Sequence, residues 1–258
     1  MDKKCIVFLD SGAGGISTLA SCLKIVNTRV LYFADNKFAP YGSLTKNQIR
    51  ARLEKLIIDL ISKYKTDCII LACNTATTTS IAYLRQQFPA ITFIGTEPAI
   101  LLSKKYGYKT PLIIATPQTV SQLKSNPKFF TQTCKLVAVK NFANHIEQFL
   151  CKSTCFNYFL LLKDIYYIKS KLKTSDCIVL GCTHYVLIKD LIKKHIALPT
   201  IDGNQGVAKQ ISRKIGVSQQ LSTKYFDITF KFSDESNDLK QNYKKILKQI
   251  LANPTKLC

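Results

Sequence analysis

The sequence predicts an α/β protein of two pseudo-twofold-related domains, each a mainly parallel sheet flanked by helices, with the functional site in the cleft between them. Short apolar runs that suit buried strands alternate with helical patterns along the chain, which is typical of parallel sheets covered on both faces. A chain of 258 residues is long enough for two such cores. Two strand-like stretches are near copies of each other, which favours two related halves.

The near copies are residues 67–75 and 176–184. Each is an apolar run that ends on a cysteine followed by a hydroxyl or amide residue, and this pattern indicates a buried strand that passes into a helix. Ligands bind at the carboxyl edge of such sheets. Two facing domains would therefore place Cys73 and Cys182 on opposite sides of one cleft. We expect Cys68 and Cys177 to face the packing and the other two thiols to be exposed.

The remaining elements alternate in chain order. Besides the two cysteine strands, strands are predicted at 4–9, 30–34, 91–95, 112–115, 136–139 and 224–232. Helices are predicted at 16–25, 45–63, 75–87, 98–105, 144–149, 158–172, 185–195, a stretch ending at 215, and 238–251. Helix 45–63 carries Ile49, Leu53 and Leu60 on one face. Helix 98–105 has Pro98 near its start, where a missing N–H costs nothing.

The tail strand suggests a discontinuous first domain. Its residues alternate between apolar and polar, so we expect it to add to the first sheet. The predicted domains are 1–95 with 208–258, and 96–207.

A net charge of +21 is typical of proteins that bind nucleic acid. Only five of the 37 basic residues are arginine, the side chain preferred for bidentate phosphate and base recognition. The lysines are scattered through helical patterns, which is typical of solvated faces. We therefore expect no nucleic-acid partner.

The chain has no apolar run that approaches a membrane span, and its first apolar run is too short for a signal peptide. A soluble, cytoplasmic protein without a membrane partner is expected. Most of its ten cysteines lie inside apolar runs, and no Cys-x-x-Cys pair occurs, so reduced thiols are expected.

Two opposed thiols suit the removal of a proton from one face of a carbon and the return of one to the other face. The predicted reaction is racemisation or epimerisation beside a carbonyl group. A thiol of pKa about 8.5 is mostly protonated at neutral pH, and forming the thiolate costs roughly 2 kcal/mol. A cationic substrate group or the nearby His184 must supply this stabilisation. No lysine stands in a recognisable site for pyridoxal phosphate, and no cofactor is expected.

Polar residues follow several predicted strand ends. Asp10 and Ser11 open a glycine-rich turn whose N–H groups could bind an anion, and Asp10 suits a substrate ammonium or a proton from Cys73. Neutral donors suited to a carboxylate are Asn74, Thr75, Thr116, Thr119 and Thr183. A zinc site of Cys73, Cys182 and His184 stays open, but it lacks a fourth ligand, and no metal is expected.

Several motifs together resemble, in order and spacing, those of the glutamate racemase family. They are Asp10-Ser11-Gly12-Ala13-Gly14-Gly15, Pro40-Tyr41-Gly42, Ala72-Cys73-Asn74-Thr75-Ala76, Glu97-Pro98 and Leu180-Gly181-Cys182-Thr183-His184-Tyr185. The resemblance covers nearly the whole chain. It implies cofactor-independent interconversion of L- and D-glutamate, a supply of D-glutamate for peptidoglycan, and a homodimer.

The resemblance also implies residue roles. Cys73 and Cys182 would alternate as proton acceptor and donor, with Cys73 serving the D form. Thr119 matches a substrate-contacting threonine, and Glu147 matches a glutamate that supports the histidine. Residues that would hold the substrate or tune the thiols are Asp10, Ser11, Tyr41, Gly42, Asn74, Thr75, Thr183 and His184. The chain departs from the family pattern between Val139 and Glu147, and at Val186.

Three rival functions remain open at this point. Aspartate racemases share the two-thiol plan, but they usually have a glutamate in place of His184. A non-catalytic, two-lobed amino-acid-binding protein would need neither cysteine. A basic nucleic-acid binder would retain DNA in a strongly salt-dependent way.

Overall fold

The computed structural model describes residues 5–23, 25, 29–126, 134–151, 154–215 and 227–252. The strands within them are β1 (Cys5–Asp10), β2 (Arg29–Ala34), β3 (Cys68–Leu71), β4 (Thr92–Gly95), β5 (Pro111–Ala115), β6 (Lys135–Ala138), β7 (Cys177–Gly181), β8 (Thr200–Ile201) and β9 (Ile228–Phe232). The α-helices are α1 (Ile16–Leu23), α2 (Lys46–Lys63), α3 (Asn74–Gln87), α4 (Ile100–Lys105), α5 (Pro117–Lys124), α6 (Phe142–Cys151), α7 (Cys155–Ser170), α8 (Thr183–Leu187), α9 (Lys189–His195), α10 (Asn204–Ile215) and α11 (Asn237–Ala252).

The strands form two parallel sheets, which confirms the predicted α/β class. The first sheet has the order β4-β3-β1-β2-β9 and the second the order β6-β5-β7-β8. We call the elements packed around the first sheet the first lobe, and those around the second sheet the second lobe. The strands that precede the two site cysteines, β3 and β7, lie inside their sheets and pair on both sides.

Helices cover both faces of each sheet. Successive residues of a strand point to opposite faces, so each strand contributes apolar side chains to two cores. In β1, Ile6 and Phe8 join one apolar core while Val7 and Leu9 join another. The strands of the second sheet divide in the same way between two cores. Strands buried on both faces are continuous apolar runs, which is why most of them could be located from the sequence, whereas the two-residue strand β8 is not among the predicted ones.

The tail of the chain returns to the first lobe. Strand β9 pairs in parallel with β2, as the alternating pattern predicts, although residues 224–226 of the predicted strand lie outside the described residues. Helix α11 buries Tyr243, Ile246 and Leu247 in the core of the first sheet. Helix α10 spans the predicted boundary at residue 208 and packs in the same core. The division of the chain into domains stays a proposal.

The predicted helix 185–195 is wrong in one respect, because it is interrupted at Ile188, where φ is −115° and ψ is 24°. Helices α8 and α9 lie on either side of this residue. Tyr185 of α8 and Leu191 and Ile192 of α9 lie in one core, so the apolar pattern continues across the break. Periodicity therefore could not detect it. No helix within the described ranges is both long and apolar enough to cross a bilayer.

Candidate active site

Cys73 and Cys182 occupy equivalent places in the two lobes. Cys73 follows β3 and caps α3 with extended backbone, and Cys182 follows β7 and caps α8 in the same way. The inner cysteines face the packing as predicted, since Cys68 is 2% and Cys177 0% exposed. The prediction that the site thiols are exposed is wrong, because each is only 7% exposed. The lobes close over the strand ends, and the sequence of each strand cannot report that closure.

Cys73 lies beside the turn that follows β1. Ser11 Oγ is 4.0 Å from its Sγ and contacts Asp10 Oδ1 at 3.5 Å. Burial raises the pKa of the Cys73 thiol far above its ordinary value, and the charge of Asp10 raises it further. A charge on Cys182 contributes in the same direction. The two sulfurs therefore lie close enough to interact electrostatically.

Asp10 connects the two lobes at the base of the cleft. Its Oδ1 accepts the Gly12 N–H at 2.7 Å, and its Oδ2 accepts the hydroxyl of Thr183 at 3.2 Å. Burial raises the pKa of Asp10 to about 6, against the opposing effects of His184 and the Gly12 N–H. Asp10 can therefore change its protonation state close to neutral pH, between the two thiols.

His184 is held between Cys182 and Glu147. Its Nδ1 lies 4.0 Å from Cys182 Sγ, and its Nε2 lies 2.6 Å from Glu147 Oε2. Burial alone would lower the pKa of His184, but hydrogen bonds to Cys182 and Glu147 raise it well above its ordinary value. The ring is thus an imidazolium that faces the sulfur.

Glu147 comes from α6 and contacts both lobes. Its Oε2 accepts the backbone N–H of Ala13 at 2.9 Å, and its Oε1 accepts the hydroxyl of Tyr243 at 2.7 Å. Burial acts to raise the pKa of Glu147, but the hydrogen bonds and charge of His184 outweigh it, so the pKa is lowered. Glu147 is thus the carboxylate that pairs with His184.

Three threonine hydroxyls form a triangle across the cleft. Thr75 Oγ1 lies 2.9 Å from Thr116 Oγ1 and 3.0 Å from Thr119 Oγ1, and Thr116 donates to Thr119 at 3.0 Å. Thr75 belongs to the first lobe, and the other two lie at the end of β5 and the start of α5. The side-chain amide of the neighbouring Asn74 donates instead to the backbone carbonyl of Thr96.

Tyr41 packs in the same apolar core of the first lobe as Cys73. Its hydroxyl donates to Asp35 at 2.6 Å, and Asp35 also accepts two bonds from Arg52. The adjacent Gly42 packs closely on Thr116, because a Cβ at Gly42 would lie 2.6 Å from the Thr116 Cβ. A cavity of about 460 Å³ opens beside these two residues.

The structure brings together most residues named from the sequence. Sequence reasoning missed Tyr243, which no local pattern connects to the site. It also did not single out the N–H of Ala13. Within the described part of the chain, no group of three or more His, Cys, Asp or Glu residues could hold a metal ion.

Comparison with known proteins decides the family. The chain is 33% identical to the glutamate racemase of Clostridium botulinum over 261 residues, which cover 96% of this chain and 99% of that protein. The chain belongs to the glutamate racemase family. It is also 36% identical to the glutamate racemase of Aliarcobacter butzleri, over 78% of this chain and 80% of the relative. No protein-family model matches the chain.

Solved glutamate racemases share the fold. That of Escherichia coli, in complex with L-glutamate and the activator UDP-MurNAc-ala, has a TM-score of 0.80 at 19% identity, covering 96% of this chain and 95% of its own. That of Francisella tularensis, in complex with D-glutamate, has a TM-score of 0.75 at 24% identity, with the same two coverages.

Proposed function

We propose that the chain interconverts L- and D-glutamate without a cofactor, by moving the α-proton between two thiols. The observation that carries the proposal is the placement of Cys73 and Cys182 at equivalent strand ends of two facing lobes, within one polar network. Membership of the glutamate racemase family supports glutamate as the substrate.

Each turnover balances without an outside reagent. One thiolate takes the α-proton and becomes a thiol, which leaves the electron pair on the α-carbon beside the carboxylate. The opposite thiol then donates its proton to the other face and becomes the thiolate. The enzyme ends with the two protonation states exchanged, ready for the opposite enantiomer.

Substrate charges meet suitable partners in the cleft. Asp10 and the substrate ammonium have opposite charges, and pairing them removes the negative field that raises the pKa of Cys73. The hydroxyls of Thr75, Thr119 and Thr183 are neutral donors for a carboxylate. Backbone N–H groups at the start of α3 add a favourable dipole worth about 0.3–1 kcal/mol. The roles of Ser11, Tyr41, Gly42 and Asn74 belong to the same proposal.

Proton exchange at the α-carbon tests this function. Each glutamate enantiomer is incubated in heavy water, and deuterium incorporation and optical rotation are followed together. We expect both enantiomers to exchange and racemise, and both aspartate enantiomers to turn over far more slowly. Turnover of aspartate alone would favour an aspartate racemase, and binding without exchange would favour an amino-acid-binding protein.

Three further statements belong to the proposal. The D-glutamate supplies peptidoglycan, the protein works in the cytoplasm, and it assembles as a homodimer without nucleic-acid or membrane partners. Rescue of a bacterial strain that requires D-glutamate tests the first, fractionation of cells tests the second, and light scattering at several protein concentrations tests the third.

A further inference from the structure

Tyr243 lies on α11, the last described helix, yet its hydroxyl reaches the active site. The side chain is 0% exposed and packs against the rings of Tyr32 and Phe232, at centroid distances of 6.2 and 5.1 Å. Its hydroxyl donates to Glu147 Oε1 at 2.7 Å. A residue of α11 therefore touches the carboxylate that pairs with His184.

The partners of Glu147 divide between its two oxygens. Oε2 lies 2.6 Å from His184 Nε2 and accepts the Ala13 N–H at 2.9 Å. Oε1 accepts Tyr243 at 2.7 Å and the same Ala13 N–H at a longer 3.2 Å. Tyr243 is thus the strong partner of the oxygen that His184 does not use. Two donors on opposite oxygens fix the plane of a carboxylate.

We propose that Tyr243 is a positioning residue for the racemase reaction, holding Glu147 so that its second oxygen faces His184 and His184 in turn faces Cys182. This inference rests on the proposed two-thiol function. It assigns the tail helix α11 a part in the chemistry of the Cys182 side, since the hydroxyl acts through Glu147 and touches neither sulfur nor substrate.

Tyr243 is suited to this task because it stays a donor. Burial and the charge of Glu147 raise the pKa of its hydroxyl well above the ordinary value. The proton therefore remains on the tyrosine throughout the working pH range. A ring enclosed by aromatic neighbours also loses little conformational entropy when the hydrogen bond forms.

Other titratable groups surround the Glu147–His184 pair. Those that act on the pair are Asp10 at the end of β1, Tyr32 on β2 and Cys182 before α8. Cys151 of α6 acts on Tyr243, and Cys73 acts on Asp10's side of the site. Tyr32 donates to the Gly12 carbonyl and not to Glu147. Tyr243 is therefore the hydroxyl whose removal changes Glu147 directly.

The test removes the hydroxyl group of Tyr243. Tyr243→Phe keeps the ring, and Tyr83→Phe is the control, because Tyr83 donates to Glu54 at the same 2.7 Å and lies on α3 ten residues after Cys73. We expect kcat/KM of Tyr243→Phe to fall roughly 10-fold and the control to match the wild type. The alkaline limb of the pH profile should move about one unit lower, because a carboxylate that is no longer held in its plane forms a poorer hydrogen bond to the imidazolium.

A double variant separates positioning from a general loss of packing. Adding Tyr243→Phe to Glu147→Gln should cause no further shift of the pH profile, because the hydroxyl acts through the carboxylate. Elimination from a β-substituted glutamate analogue, which needs one base, should slow only in the stereochemical series served by Cys182. Additive effects in the double variant, or equal slowing of both series, would overturn the proposal.

A ring titration tests the inference without any turnover. The chain has three histidines, so the nitrogen signals of His184 can be assigned by substitution and followed with pH. Tyr243→Phe should lower the pKa of His184 in the substrate-free protein, and an unchanged titration would overturn the proposal. A wild type without racemase activity would instead count against the proposed function. Should Tyr243→Phe prove insoluble, Phe232→Leu loosens the same ring and should give smaller shifts in the same directions.

Discussion

The two sides of the cleft begin from equivalent strand ends but surround their thiols differently. On the Cys73 side, burial and the charge of Asp10 raise the pKa of the thiol. On the Cys182 side the imidazolium of His184 faces the sulfur and is backed by Glu147. In the proposed mechanism, Cys73 therefore depends on the substrate ammonium to become a base, whereas Cys182 has a cation supplied by the protein. A symmetric reaction is served by two different means of activation.

Removing either thiol tests this comparison with the largest expected effect. Cys73→Ser and Cys182→Ser should each lower racemisation by about 1,000-fold or more, because a serine hydroxyl is a far weaker acid than a thiol. The rates in both directions must fall together, since racemisation has an equilibrium constant of one.

The control for these variants is elimination from each series of a β-substituted analogue. Each variant should retain elimination in one series, and the two variants should retain opposite series. If both variants lose both series equally, the thiols do not act as separate bases.

Glu147→Gln weakens the Cys182 side selectively. We expect kcat/KM to fall by roughly 100-fold, because a neutral amide no longer stabilises the imidazolium.

The same pair makes the stability of the folded protein depend on pH. The pKa of Glu147 is lowered on folding, so its contribution to folding stability is present above about pH 4.3 and is lost as the pH falls through the lowered value. The pKa of His184 is raised, so its stabilisation is full below about pH 6.5 and is lost as the pH rises through the raised value.

Denaturation at several pH values checks that window. The wild type should exceed Glu147→Gln in free energy of unfolding by roughly 3 kcal/mol between about pH 4.3 and 6.5, and by less outside it. A difference that is constant with pH would mean that the pair is not ionised in the folded protein.

Asp10→Asn alters the Cys73 side with a smaller expected loss, roughly 10-fold in kcat/KM. The folded pKa of Asp10 is about 6 and exceeds its unfolded value. The folded state therefore binds this proton more tightly, and wild-type stability should decline as the pH rises from about 4 to about 6.

The asparagine variant should lack this decline, which amounts to about 3 kcal/mol, and should also lose an acid limb near pH 6 in its kinetic profile. Thermal denaturation and initial rates at matched pH values measure both. A decline that persists unchanged in Asp10→Asn would assign it to another group.

Gly42→Ala should have the smallest effect, since it acts on neither thiol. The new methyl group would lie 2.6 Å from the Thr116 Cβ, so the lobes must separate slightly. KM should rise roughly 3-fold to 10-fold with little change in kcat. Gly107→Ala is an unsuitable control because Gly107 has a φ of +86°, whereas Gly206→Ala meets no atom within 4 Å and should behave like the wild type. An unchanged KM in Gly42→Ala would mean that this contact does not govern binding.

Local patterns in the sequence predicted the parts of the site that one strand end contains. The cysteine strands, the turn at Asp10 and the return of the tail strand all follow from short-range signals. The burial of Cys73 and Cys182 could not be predicted in this way, because it arises where two lobes meet.

Long-range contacts account for what else was missed. Tyr243 lies 96 residues from Glu147 and is one of 12 tyrosines, so no periodicity identifies it. The side-chain direction of Tyr41 depends on Asp35 and Arg52. The break at Ile188 leaves the apolar pattern intact. Each of these features requires knowledge of which distant segments touch.

The return of the chain to its first sheet has a consequence for how the protein is made. A ribosome releases residues in order, and Glu147 emerges well before the helix that carries Tyr243. A nascent chain that already displays both cysteines still lacks the hydroxyl that completes the carboxylate's surroundings. The Cys182 half of the active centre is therefore completed only after α11 has been synthesised.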